Sequence, residues 1–423
     1  MNNLRGKKLL ILGGKPIGSK EIVAKAKSLG IYTIVSDYLP IESSPAKQIA
    51  DEVWDISTAD LVQLEERARK TGIDGIYAGV HEFNIRQMIK LCNSLKLPCY
   101  CTMEQWDALE NKANFKEACR KHGIPVTREY VVDDNRIHEL NGIEYPVITK
   151  PTDGSGSRGF SICHNREQLV EAYQKAKSFS DTGSVLVEMF MDYRYSVIIN
   201  YTLVDDKIIY GGISDKRSKK VFDNGAPIMS LQIYPSKYEA EYVASVDSKA
   251  KAMLKSIGLR NGVVWIEAFC KEGKFTFNEM GFRFGGSLTY YPVSFYTGVD
   301  QLALQIEYAL TGHNEQLDCK KYVPQQKHYC ILPTHLKPGI VKKIVGLEEL
   351  QKKDYFYTLV PVHFEGDEIQ AWGSAQQVFS YIHFLVDSRD EVEAVQEDIM
   401  KTLHVYDESG SEMLFNLFDC SVI

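Results

Sequence analysis

The first hundred residues alternate short apolar runs with amphipathic stretches, and this alternation limits the fold more than any other feature of the chain. KKLLILGG, IYTIVSDY and IDGIYAG read as buried strands. SKEIVAKAKSLG, DLVQLEERARKTG and NIRQMIKLCNSLKLP read as helices, the first closed by Gly30 and the last ended by Pro98. Strand and helix in alternation, with short links, predict a parallel sheet covered by helices on both faces.

Composition then narrows the class. The chain has 423 residues, enough for roughly two to four domains. Its formal net charge of −7 argues against a general nucleic-acid or membrane-surface binder, since phosphate neutralisation needs a basic surplus. The nine cysteines are odd in number and scattered without a CxxC pair, which suits reduced thiols in the cytoplasm rather than a disulfide frame. The opening MNNLRGKKLLILGG has an apolar run of about four residues, against about 7–15 for a signal peptide and about 18 for a membrane span. A soluble, cytoplasmic protein is expected.

The middle of the chain changes character. A capping box at Thr102 opens a helix, and NKANFKEACRKHG continues helical. YPVITKP, GFSIC, VLVEMFM, YSVIINYTLV and KIIYGGI then read as strands with antiparallel features, and SKYEAEYVASVDSKAKAMLKSIG reads as one long helix. The tail holds KHYCILPTHL, a helix GLEELQKK, further strands and a helix DEVEAVQEDIMKTLH. The expected units are 1–102, 103–312 and 313–423.

Three segments carry chemistry. Gly13-Gly14-Lys15-Pro16-Ile17-Gly18 lies between a strand and a helix, where a dinucleotide loop would lie, but its spacing is not GxGxxG. A structural turn is the leading reading, with a dinucleotide site or part of a substrate pocket as alternatives. No GxxxxGK[ST] occurs, so a P-loop is excluded. Asp153-Gly154-Ser155-Gly156-Ser157-Arg158-Gly159 follows a strand ending at Lys150. Its glycines and small hydroxyl residues let backbone N–H groups approach an anion. A lysine ending a buried strand is costly unless a counter-charge or ligand meets it. The alternative is a hairpin tip with a solvated lysine.

The third is the hairpin GVVWIEAFCKEGKFTFNEMGFR. Strict alternation puts Val263, Trp265, Glu267 and Phe269 on one face, and Phe275, Phe277 and Glu279 on one face. Glu267 and Glu279 are near-symmetric about Gly273, so both should lie on one sheet face, nearly opposite each other. Two like charges so placed cost about 0.2–1 kcal/mol when exposed and more among aromatics. A divalent cation removes the conflict; Mg²⁺ is usually held by one or two carboxylates plus substrate phosphates. A one-residue slip would instead turn one glutamate to solvent. Arg283, beside Gly285 and Gly286, could meet a transferring phosphoryl group or form a structural salt bridge with one of these glutamates.

Taken in order, these pieces resemble the ATP-grasp superfamily over about residues 1–310. The resemblance implies Lys112 and Lys150 as nucleotide lysines and Gly154, Ser155, Gly156, Ser157 and Gly159 as the phosphate loop. It implies Glu188, Met189 and Met191 as the adenine hinge, Glu267 and Glu279 as metal ligands, and Arg283 with Lys150 as catalytic groups. The implied fold is α/β and α+β: a Rossmann-like pre-ATP-grasp domain, a two-lobed ATP-grasp domain with its lid lobe at about 113–187, and a small C-terminal α+β domain. EMGFRFGGS is similar to the version found in ATP-dependent carboxylate–amine ligases of the L-amino-acid ligase type. Biotin carboxylase, the carbamoyl-phosphate synthase large chain and the ATPase subunit of phosphoribosylaminoimidazole carboxylase are more distant relatives.

Two positions depart from the family pattern. Arg194 stands where a ribose-binding carboxylate is usual, with Asp192 as a substitute. Gly281 stands where an asparagine usually gives a third metal ligand. The implied activity is an ATP- and Mg²⁺-dependent ligase (Mn²⁺ as an alternative ion). It would activate a small-molecule carboxylate as an acyl phosphate for attack by an amine, releasing ADP and phosphate. His81, Glu82 and the backbone at Gly285-Gly286 could face the substrate, and Tyr290 and Tyr291 could line the pocket or belong to the core. Lys216 and Arg217 resemble a basic segment near the phosphates, or form a solvated charge run. A bicarbonate-using carboxylase or carbamoyl-phosphate-synthase-like enzyme is the alternative, and a nucleotide-binding protein without catalysis a third. The implied partners are small carboxylates and amines, with neither nucleic acid nor membrane, and a homodimer is in keeping with the relatives.

Overall fold

A computed structural model describes residues 4–110, 112–132, 142–152, 159–205, 207–220, 227–314, 326–370, 373 and 375–417. The N-terminal alternation forms a four-stranded sheet in the order Glu52–Trp54, Tyr32–Ser36, Lys8–Leu12, Gly75–Tyr77. All neighbouring pairs are parallel. Leu9, Leu10, Ile11 and Leu12 of the inner strand are buried, as expected for a strand covered on both faces. The turn after it is tied down by Asp37, whose carboxylate accepts from Gly14 N at 2.7 Å and Ser44 Oγ at 2.8 Å and pairs with the buried Lys47 at 3.0 Å. A Cβ on Gly14 would meet Ser44 Oγ at 2.1 Å. This loop is held by side chains from the segment after the second strand, as a structural turn.

The largest sheet has nine strands. Its order is Lys274–Gly281, Gly262–Lys271, Ser196–Val204, Lys207–Lys220, Pro227–Tyr234, His328–Leu336, Val378–Val386 and Phe356–Pro361, with Leu414–Phe415 also pairing on His328–Leu336. Strands from beyond residue 313 therefore extend the sheet that carries Glu267. A separate four-stranded antiparallel sheet, Glu129–Tyr130, Val185–Met189, Val147–Pro151 and Ser161–Cys163, presents Lys150 and Glu188 and is backed by the helix Arg166–Ser178. The segment leading into the small sheet is tied to the large one where Phe277 N donates to Pro125 O at 2.8 Å and Thr127 N to Phe277 O at 3.3 Å.

Two local expectations are corrected. The stretch read as one long helix is two, Glu239–Ser245 and Asp247–Ser256, broken at Val246, whose φ of −125° leaves the helical range. In the glutamate hairpin, Glu267 pairs with Glu279 but the next residue, Ala268, pairs with Phe277. Asn278 is the extra residue of a β-bulge. Phe275 and Phe277 are consequently buried on the core side, while Glu279 and Gly281 turn to the other face with Trp265 and Glu267. Unbroken alternation would have left Glu279 on the Phe277 face; the bulge re-aims it.

Candidate active site

A cavity of about 710 Å³ lies between the small sheet and the hairpin edge of the large one. Its walls bring together Lys112, Lys150, Glu188, Met189 and Met191 with Glu267, Glu279 and Arg283. Eight residues expected from sequence thus meet in one space, although they span more than 170 positions of the chain. Gly154, Ser155, Gly156 and Ser157 lie outside the described residues. Gly159 has φ +73°, and a Cβ there would meet Pro151 Cδ and Cγ at 3.0 Å, so the loop's exit needs glycine.

The two glutamates are each matched by an ammonium. Lys216 Nζ is 2.7 Å from Glu267 Oε2, and Lys112 Nζ is 3.8 Å from Glu279 Oε2. Burial raises the Glu279 carboxyl, but Lys112, Lys150, Lys216 and Arg283 outweigh it and hold the group below its ordinary range. Burial likewise pulls Lys216 down, and Glu267 more than restores it. For Lys112 burial wins over Glu279, and its ammonium is the more easily deprotonated. The strand Lys207–Lys220 explains why the DKRSKK run divides: Lys216 faces the cavity, while Arg217 turns away, 3.8 Å from Asp215.

On the opposite wall Glu188, almost wholly buried, holds two lysines. Lys150 reaches its Oε2 at 2.6 Å, and Lys116 pairs with its Oε1 and with Glu129 at 2.9 Å. Burial pulls the Lys150 ammonium down, but Glu188 and Glu279 hold it above its ordinary value. The buried lysine ending its strand thus has the counter-charge its position requires. Met189 and Met191 follow Glu188 along the cavity wall.

Arg283 does not pair with either metal-type glutamate. Its Nη2 lies 2.6 Å from Glu82 Oε1, its Nη1 donates to Phe284 O at 3.0 Å, and its Cζ stands 5.5 Å from the Trp265 ring centre. Glu82 begins the helix Glu82–Leu95 and lines the cavity, so the N-terminal sheet contributes to the site. His81 precedes that helix, its imidazole held below its ordinary pKa chiefly by burial. Gly285 O accepts from Leu288 N at 3.0 Å. Tyr290 is core: it is 4% exposed and packs on Phe284 and Tyr291. Arg194 folds onto Asp192 at 2.6 Å and neutralises the carboxylate expected near a ribose.

Lys116 was missed by sequence reasoning. The signal was present: it follows Lys112 by four residues and so shares its helix face. The role of Gly281 was missed as well. A Cβ on it would meet Trp265 Cε2 and Nε1 at 2.4 Å. The indole fills the volume that a third ligand side chain would need. Among the described residues no group of three or more His, Cys, Asp or Glu is placed to hold a metal. The donor set for a cation is two carboxylates, which suits Mg²⁺ completed by phosphate and water oxygens.

This combination of a lysine-bearing antiparallel lobe, a carboxylate hairpin and a parallel N-terminal sheet around one cavity defines a nucleotide-clamping fold. Residues 111–313 match the family model described as "Carbamoyl-phosphate synthase L chain, ATP binding domain", and the chain carries an ATP-grasp domain there. A carbamoyl phosphate synthase large chain from Clostridium beijerinckii is 22% identical over 330 residues, covering 74% of this chain and 30% of that one. The chain thus spans less than a third of that relative. The L-amino acid ligase from Bacillus licheniformis has the same fold at 18% identity, TM-score 0.74, over 96% of this chain and 99% of that one. The biotin carboxylase domain of the Hydrogenobacter thermophilus 2-oxoglutarate carboxylase, solved with MgADP, ADP and bicarbonate, aligns at 20% identity and TM-score 0.76, over 96% and 91%. No helix among the described residues is long and apolar enough to cross a membrane.

Proposed function

We propose that this protein is an ATP-dependent ligase that joins a small-molecule carboxylate to an amine. The observation that carries the reading is the convergence of Lys112, Lys150, Glu267, Glu279 and Arg283 on one cavity. ATP is the co-substrate: its adenine would lie along Met189 and Met191 beside Glu188, and its phosphates near Lys112 and Lys150, with the segment 153–159 proposed as their binding loop. Glu267 and Glu279 would hold Mg²⁺, which supplies charge compensation to the phosphates when bound. We assign the lid role to residues 113–187 and take 1–102, 103–312 and 313–423 as the working units.

The chain's own groups then have defined work. A substrate carboxylate oxygen attacks the γ-phosphorus and ADP leaves. Lys150 and Arg283 face the charge spread over the transferring oxygens, so their contribution is electrostatic. The resulting acyl phosphate is attacked at carbon by an amine, phosphate departs and the amine loses a proton. Water would hydrolyse the acyl phosphate, so closure of the glycine-bearing lobe protects it. The near-complete alignment with an L-amino acid ligase fold supports this acceptor class. The match to a carbamoyl-phosphate synthase domain keeps bicarbonate as the second reading.

The test is a screen of amino acids and small acids for ATP-dependent phosphate release, with and without amines. Phosphate release that needs both a carboxylate and an amine, with an amide product by mass spectrometry, is the expected result. Release driven by bicarbonate alone would move the protein to the second reading. No release with any acid, despite ATP binding, would defeat both. A homodimer, a cytoplasmic setting and use of Mn²⁺ complete the proposal; the seven described cysteines are all free of disulfides.

A further inference from the structure

Two indoles that line this cavity have a buried nitrogen without a partner among the described residues, Trp106 and Trp265, and Trp265 is the one on the glutamate hairpin, against Arg283. An indole N–H only donates, and a buried donor left unmade is costly. The ring is also held in one place. Gly281 lies directly opposite on the paired strand, and its missing Cβ makes room for Cε2 and Nε1. Beyond it Trp265 Cδ1 stands 3.8 Å from where a Cβ on Gly285 would be. The Arg283 guanidinium lies over the ring, with its far side fixed by Glu82. Thus a pre-set, unused donor sits two residues from Glu267, against the arginine that faces the cavity.

We propose that Trp265 is a substrate-binding residue: its N–H donates to an anionic oxygen of the carboxylate being activated, and its ring face positions Arg283 for the same anion. The ligand class follows from the chemistry around it. An N–H donor beside the Arg283 guanidinium selects an oxyanion acceptor over a cationic group, whereas Lys112, Lys150 and Lys216 are each already matched by a glutamate and add nothing to that choice. Gly281 is then required to seat the indole, and the third metal-ligand position is given up to a substrate contact. This inference rests on the ligase reading for the identity of the anion, and not for the existence of the subsite.

Two variants of the full chain separate the roles. Trp265→Phe keeps a ring over Gly281 and under Arg283 but removes the N–H. Trp265→Leu removes both. With the carboxylate found in the screen, Trp265→Phe should lower kcat/KM for that carboxylate by about ten- to a hundredfold, the loss of one charge-assisted hydrogen bond, while KM for ATP stays within twofold. Trp265→Leu should lower kcat further. A Trp265→Phe enzyme within twofold of wild type for the carboxylate would overturn the proposal.

A binding measurement keeps the two readings distinguishable. Protein with Trp54, Trp106 and Trp372 changed to phenylalanine retains Trp265 as its single indole. Loaded with MgADP, it is titrated with acetate, formate and inorganic phosphate while its emission is recorded. A saturable emission change with any of these anions supports the subsite even if no ligase activity is found. A flat response to all three overturns it, whatever the activity screen gives.

Discussion

Glu267 and Glu279 stand directly opposite each other on paired strands, yet each faces a different lysine: Lys216 at 2.7 Å and Lys112 at 3.8 Å. The pair is therefore charge-balanced, and under the proposed function a divalent cation would enter it by displacing ammonium contacts. Replacing Glu279 with glutamine should raise the Mg²⁺ concentration for half-maximal ATP turnover by about 10–100-fold, the usual loss for a disturbed metal site. A Mg²⁺ titration of E279Q superimposable on wild type would exclude the hairpin as the metal site.

Lys116 is fully buried between Glu188 and Glu129. Removing one partner of a buried ion pair strands the other charge and costs about 3–5 kcal/mol, whereas removing both is much milder. Lys116→Met should lower stability by about that amount in denaturant unfolding, and Lys116→Met with Glu188→Leu should regain part of it. A single variant as stable as wild type would show that Lys150 alone neutralises Glu188.

Gly281 and Trp265 should behave as a coupled pair. Gly281→Ala forces a methyl group against the indole and is expected to cost about 1–3 kcal/mol through overpacking. In a Trp265→Leu background the same change should cost less, with a coupling of about 0.5–3 kcal/mol. Strict additivity in thermal unfolding would mean that the strand can shift to absorb the methyl group.

Acid should weaken the protein well above the carboxylate range. Burial pushes the His335 imidazole down to about 4 and His383 to about 3, against about 6.5 in an unfolded chain. Below about 6.5 the unfolded state binds protons that the folded state refuses, so stability falls as pH falls, by up to about 1.4 kcal/mol per pH unit for each histidine. That loss ends only near the folded values. His335→Leu should flatten the mean slope measured between pH 6.5 and 4.5 by about 0.8 proton. An unchanged slope would remove His335 from the acid response.

The N-terminal sheet was legible because buried parallel strands are uniformly apolar and helices alternate with them, as Leu9–Leu12 and the following helix illustrate. The site lysines and glutamates were legible because their order and spacing are unusual together. The opposition of Glu267 and Glu279 was legible from their symmetry about Gly273, but the bulge behind it was not: Asn278 has no residue-level signature of one, and period-two counting groups Glu279 with Phe277. Lys116 was hidden by its ordinary look as a helical lysine, since only the tertiary approach of Glu188 and Glu129 makes burial tolerable. The extension of the large sheet past residue 313 depends on Gln232–Tyr234 pairing with Tyr329–Ile331, a contact about a hundred positions apart that no local pattern announces.

That last seam has a practical outcome. Because Pro227–Tyr234 gives one flank to Lys207–Lys220, the strand that carries Lys216, and the other to His328–Leu336, a chain shortened at residue 312 would present a raw row of amide and carbonyl groups. Such a border invites chain-to-chain stacking, so a truncated fragment designed to isolate the catalytic half should precipitate rather than work.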